Sequence, residues 1–272
     1  MLSIKNLLAK FNSSGRLKPA HVKDYYEKWT ERYIRTFGDT FQSFRTTNLE
    51  ELFNYFIANS EMKDGEKVLD AGCGVCGPAI YFARKMNVHV EAVTISERQC
   101  RYGRENIKKA ENELKGTIRV RQGDFHKLEK LYPKETFDLI YFLESLTHST
   151  DIARVLKSCK KVLKKGGRIY IKDLYHSKSD DAHTQWRIDY AVTNVDREFA
   201  LKVEKIENFK EILSQSGFQI DFCRVLQITP DYSIGNKFVA DNGIIIFDNQ
   251  TGPYDGIGLT YLDYYETRLV NA

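Results

Sequence analysis

Apolar positions change their period along this chain, and each change marks an element. Ile4, Leu7, Leu8 and Phe11 recur at helical spacing and predict a helix over 3–11, which the polar stretch 12–19 interrupts. Tyr26, Trp29, Tyr33 and Phe37 then share one face of a second predicted helix. Leu49, Leu52, Phe53, Phe56 and Ile57 line the inner face of a third, which runs to residue 59 after Asn48, a residue whose side chain can cap the first free N–H groups. From Lys67 the period shortens. The segments 67–70, 88–93, 118–122, 137–143, 168–172, 218–228 and 259–269 read as strands, and the continuous apolar run FDLIYFL fits one buried on both faces. Helical segments fall between them, with Ile80, Tyr81, Phe82 and Ala83 in the first and 207–216 in the last. This alternation predicts an α/β fold, a doubly wound sheet whose ligands sit at the carboxyl ends of its strands. The polar stretch 176–199, with Trp186 and Tyr190 four apart, predicts a helical insertion around 175–205 across that side, whereas 231–258 carries no period that assigns it.

The first strand runs into KVLDAGCGVCGP, residues 67–78, with glycines at 72, 74 and 77. A chain that leaves a strand and enters a helix within six residues needs positive φ or a missing Cβ, and glycine supplies both. The N–H groups of the incoming helix then face a ligand. Nicotinamide, flavin and S-adenosylmethionine sites all use something close to this Gly-x-Gly-x-x-Gly spacing. Asp70 stands immediately before the glycines, and the position about 20 residues on, where a dinucleotide fold places a ribose-binding acid, holds Thr94, Ile95 and Ser96.

Composition narrows the classes. At 272 residues the chain has room for one large domain or one with an appendage. No apolar run approaches the roughly 18 residues of a membrane span. A net charge of +4 is too small to point to nucleic acid, and no basic stripe is interleaved with aromatics, so neither a nucleic-acid partner nor a membrane span is expected. Five cysteines, an odd number, suit a reducing compartment. Cys73 and Cys76 form a C-x-x-C inside the glycine turn with no second pair, so no metal is expected. Residues 1–23 lack acids and read as a basic amphipathic helix more than a targeting segment, which makes the expected location cytoplasmic. A homo-oligomer stays open.

With Asp70, the row GCGVCGPA resembles the first motif of class I S-adenosylmethionine (SAM) methyltransferases. The row VTISERQC resembles that of cyclopropane fatty acid synthases and geranyl diphosphate C-methyltransferases, in which Ser and Gln replace the usual ribose-binding acid. Gly123, Asp124 and Phe125 follow the third strand like the adenine-holding loop of many methyltransferases. The resemblance implies SAM as cofactor, a seven-stranded Rossmann-like sheet, and a cofactor site of Asp70, Gly72, Gly74, Thr94, Ser96, Gln99, Asp124 and Phe125.

Two further rows resemble sterol side-chain methyltransferases. Tyr25, Tyr26, Thr30, Glu31, Tyr33, Gly38, Phe41, Gln42 and Phe44 match the segment that closes over the SAM pocket, with Gln42 where histidine is usual. DLIYFLESLTHSTD matches the row after the fourth strand and places Glu144 and His148 in catalytic positions. The likeness implies an N-terminal helical lid over 1–60, a methyltransferase domain over 61–272, and an acceptor pocket walled by Tyr25, Tyr26, Tyr33, Phe41 and Trp186. It departs at Cys76, where the family has glycine, at Gln42 and beyond Gln227. The expected activity is methylation of carbon in a small unsaturated isoprenoid or lipid-like acceptor through a carbocation, with Glu144 as the base. An O- or N-methyltransferase of a small natural product using Glu144 or His148 is the alternative, and a SAM-binding protein without catalysis is a third reading.

Overall fold

The structure is a computed structural model and describes residues 17–46, 48–229, 231–244 and 261–272. Strand β1 (Lys67–Ala71) lies inside the sheet, hydrogen-bonded in parallel to β2 (His89–Thr94) on one side and to β4 (Phe137–Leu143) on the other. Outward from these lie β3 (Thr117–Gln122), parallel to β2, and β5 (Leu163–His176), parallel to β4. Strand β7 (Leu262–Val270) runs antiparallel between β5 and the edge strand β6 (Gln219–Val225), which gives the order β3-β2-β1-β4-β5-β7-β6. The doubly wound seven-stranded sheet anticipated from the alternation is therefore present.

Successive side chains of a strand point to opposite faces, so each central strand feeds two cores. Leu69, Ile140, Phe142 and Ile171 face α5 (Ile152–Val162) and α7 (Ile206–Gln215), where Val155, Leu156, Cys159, Phe209 and Leu213 are buried. Val68, Leu139, Tyr141 and Tyr170 face α2 (Leu49–Ser60) and α3 (Gly77–Lys85) through Leu52, Phe53, Phe56 and Phe82. Asn48 caps α2 as expected, its Oδ1 accepting from the N–H groups of Glu50 and Glu51. Because α2 packs into the sheet's own core, the expected grouping of 1–60 as one lid divides in two. Among the described residues before β1, α1 (Pro19–Phe37) and the loop 38–46 are the parts that line the pocket at the carboxyl ends of the strands.

That end of the sheet carries a third apolar cluster. It joins α1 to α6 (Ala182–Phe199) and to α8 (Ser233–Asp241) through Tyr25, Phe37, Ile188, Val192, Val195, Phe238 and Leu262. Helix α6 is the insertion anticipated from the polar stretch, and α8 falls in the stretch that the sequence left unassigned. Helix α4 (Glu97–Ala110) covers β2 and β3 beside α1. The helix expected over 3–11 and residues 245–260 lie outside the described residues. No described helix is long and apolar enough to cross a membrane.

Candidate active site

Past Ala71 the chain turns at Gly72 with φ of 100°. A Cβ there would lie 2.4 Å from that of Ser145, whose Oγ donates to the carbonyl of Ala71 at 2.6 Å. Glycine thus lets the loop after β4 close against the turn. At Gly77 a Cβ would come within 2.2 Å of the carbonyl oxygen of Asp39, so this glycine lets the loop 38–46 settle on the start of α3. Cys76 occupies the left-handed region at φ of 71°, where side chains are uncommon, as the departure from glycine at this position leads one to expect. The thiols of Cys73 and Cys76 are free and buried, and among the described residues no group of three or more ligating side chains is placed to hold a metal.

The turn opens onto a pocket of about 810 Å³ lined by Asp70, Gly72, Gly74, Thr94, Gln99, Asp124 and Phe125. Seven of the eight residues expected at the cofactor site thus meet in one cavity. The eighth, Ser96, does not reach it. Ser96 caps α4, accepting from the Gln99 N–H at 3.1 Å and donating to Glu27 Oε1 at 2.9 Å. A serine at a helix start is drawn to the free N–H groups there, and that demand turns its hydroxyl away from the pocket. Glu27 itself went unnoticed in the sequence. Its carboxylate leaves α1 to accept from the N–H groups of Glu97 and Arg98, at the positive end of the α4 dipole. One acid on a helix gives no local signal of such a distant contact.

Asp70 is almost fully buried, and its Oδ2 has no hydrogen-bond partner. Burial pushes its carboxyl up to about 7. Thr94 Oγ1 donates to Gln99 Oε1 at 2.5 Å, and Asp124 Oδ1 accepts from the N–H and ring Nδ1 of His126.

The expected base Glu144 lines the pocket with both oxygens engaged. Oε2 accepts from the Ser43 N–H at 2.6 Å and its Oγ at 2.7 Å. Oε1 accepts from the Phe44 N–H at 3.1 Å and from the ammonium of Lys172, a fully buried lysine. Lys172 also donates to Gln42 Oε1 and to the carbonyl of Phe44, which gives the glutamine at the unusual position a partner. Four donors thus occupy the four lone-pair sites of this carboxylate, which leaves no open acceptor site toward a substrate and makes Glu144 an anchor for residues 42–44.

His148 is placed differently. Its Nδ1 lies 3.0 Å from the Ala200 carbonyl, which can only accept, so the proton is on Nδ1. Nε2 is then the bare nitrogen, and it accepts from the Tyr26 hydroxyl at 2.7 Å. Burial lowers the ring's pKa to about 4, which keeps it neutral. The turn that carries it is held by Asp173, whose Oδ2 accepts from the N–H groups of Leu146 and Thr147. Sequence reasoning missed Asp173, because a strand-end acid reads as a solvated one.

Among the expected acceptor-pocket residues, Tyr26 and Phe41 line the main pocket, and they also line a second cavity together with Tyr33. Tyr25 lies behind that wall, buried, with its hydroxyl 2.9 Å from that of Tyr33. Trp186 does not belong to the site. It is 48% exposed on the outer face of α6 and stacks on Tyr190, while Ile188, Val192 and Val195 form that helix's buried face.

A family profile described as "Methyltransferase domain" matches residues 62–217 of the chain. The chain belongs to that family. It carries a SAM-dependent methyltransferase domain, and S-adenosylmethionine is its cofactor. Phosphoethanolamine N-methyltransferase 3 of Arabidopsis thaliana is 29% identical over 188 residues, covering 69% of this chain and 35% of its own. Sterol 24-C-methyltransferase ERG6B of Gibberella zeae is 27% identical over 220 residues, covering 77% and 56%. The chain thus spans about a third to just over half the length of these curated relatives. Among solved structures the [4+2]-cyclase SpnF superposes with a TM-score of 0.73 at 16% identity, covering 94% of this chain and 96% of that one, a likeness of fold.

The methyltransferase pocket fits this cofactor by its own chemistry. The unpartnered, buried Oδ2 of Asp70 is suited to a cation such as the cofactor's α-ammonium, and Phe125 offers a ring face for a base. Because the cation favours the ionised carboxyl, SAM affinity is expected to fall as pH drops below about 7, by up to tenfold per unit. Calorimetry across this range, with Asp70→Asn as the variant that loses the dependence, checks it.

Proposed function

We propose that the chain methylates a hydroxyl oxygen of a small acceptor, with the Tyr26–His148 pair receiving the proton. When bound, SAM supplies a methyl group activated on a sulfonium, so the protein has to position the acceptor and accept one proton. The observation that carries the reading is the bare Nε2 of a neutral, buried His148, which faces the place where the two cavities meet. An acceptor O–H donating to the Tyr26 oxygen would pass its proton there as the Tyr26 proton moves to Nε2. Burial holds the Tyr26 hydroxyl pKa well above its ordinary value, so a free tyrosinate is disfavoured and the two transfers are coupled.

Carbon methylation is the second reading. It is supported by the rings of Tyr26 and Phe41 at the junction, whose π faces suit a developing carbocation, with His148 taking the later proton. The name of the sterol relative favours it as well. Glu144, the base first expected for that chemistry, has no free lone pair to offer it.

Incubation with methyl-labelled SAM and a panel of phenols, apolar alcohols and isoprenoid alkenes separates the two. An ether product with the label on oxygen is expected, and a label on carbon overturns the oxygen reading.

A further inference from the structure

Behind the junction lies the second cavity, lined by α1, α6, α8 and the start of β7. Tyr26, Phe41, Glu144 and His148 line both cavities, so this one opens where a methyl group would be delivered. Its polar groups gather at that end: the Tyr26 hydroxyl, His148, Ser43 and Thr147. Apart from Tyr33, whose hydroxyl is paired with that of Tyr25, the rest of the wall is apolar, with Leu174, Val195, Phe238, Val239 and Leu262 buried around it. Among the described residues no lysine or arginine lines it, and the carboxylate of Glu144 is already paired with Lys172.

We infer that this cavity is the acceptor site and takes an uncharged, largely apolar alcohol or phenol, its hydroxyl at the Tyr26–His148 end and its body against Phe238 and Val239. The inference rests on the methyl-transfer reading and adds the class of acceptor to it. A phosphate or carboxylate entering here would give up its hydration and meet no cation, which is the costly way to bury a charge. Repulsion adds to this, since Glu144 and Asp173 both make the field at the Tyr26 hydroxyl more negative. Among the described residues an ammonium finds no open aromatic cage either. Tyr33, Phe37 and Phe238 pack on one another with centroids 4.4 to 5.4 Å apart, which closes their faces to a guest.

Three probes that share one ring system test the class: 1-naphthol, 1-naphthyl phosphate and 1-naphthylmethylamine, titrated by calorimetry into the protein saturated with S-adenosylhomocysteine. Naphthol is expected to bind, and the two charged probes at least about a hundredfold more weakly. Equal or tighter binding of either charged probe overturns the inference, and so does failure of naphthol to bind. Val239→Lys, which puts a cation in the wall, should invert the order in favour of the naphthyl phosphate; an unchanged order places the naphthol elsewhere and overturns the site. Because these readouts involve no turnover, a carbon-methylated product alongside the expected order of binding would fail the oxygen reading and leave the acceptor class standing.

Discussion

Replacing His148 with alanine is expected to lower kcat by about 10²- to 10⁴-fold, the usual worth of a positioned general base, with SAM affinity changing less than about threefold. The asymmetry follows from the geometry. His148 donates through Nδ1 to a backbone carbonyl and accepts through Nε2 from Tyr26, so one bond fixes the ring, the other serves the proton path, and neither goes to Asp70, Gly72, Thr94, Gln99, Asp124 or Phe125. Tyr26→Phe keeps the ring wall and removes the relay, and should cost turnover with little effect on cofactor binding. Sign matters for the pH profile. The ring's pKa is depressed to about 4, so the base is competent at neutral pH and the rate through it declines only as pH falls toward 4. Single-turnover rates with calorimetric SAM affinities check both statements. A His148→Ala enzyme with wild-type turnover would sink the assignment.

Lys172→Met is expected to be the most damaging change to the fold. It strands Glu144 among buried groups without its counter-charge, and breaking one partner of a buried pair costs about 3–5 kcal/mol. For a chain of this size that corresponds to a fall in Tm of roughly 10 °C. Lys172 also donates to Gln42 and Phe44, so the loop 38–46 loses anchors as well as charge balance. Removing both charges in Glu144→Leu with Lys172→Met should recover most of the loss, since two apolar side chains leave no uncompensated ion. Urea denaturation of the single and double variants measures this. A double variant no more stable than Lys172→Met alone would show that the loop anchors, and not the ion pair, carry the energy.

The fold was legible because its signals are local. FDLIYFL lies on β4 residue for residue, and the glycine turn sits between β1 and α3 as its spacing demands. Tyr26, Phe41 and His148 were legible through whole rows of sequence, and they do meet at the site. What the sequence withheld is which side chains face each other across long separations. Glu144 looked like a base because its row carries no trace of Ser43, about a hundred residues earlier, or of Lys172 on the next strand. Ser96 and Trp186 were misplaced for a related reason. A matching row placed Ser96 at the cofactor and a four-residue spacing set Trp186 beside Tyr190, but a capping demand and an outward-facing surface decide where those side chains go.

The two cavities are built by different parts of the chain. The turn after β1 and the ends of β2 and β4 shape the donor side, α1 is shared by both, and α6 and α8 touch only the second cavity. This division makes the protein modular in an evolutionary sense. Substitutions in α6 and α8 can reshape the second cavity without altering a residue that lines the donor side, so acceptor specificity can drift while donor binding stays as it is.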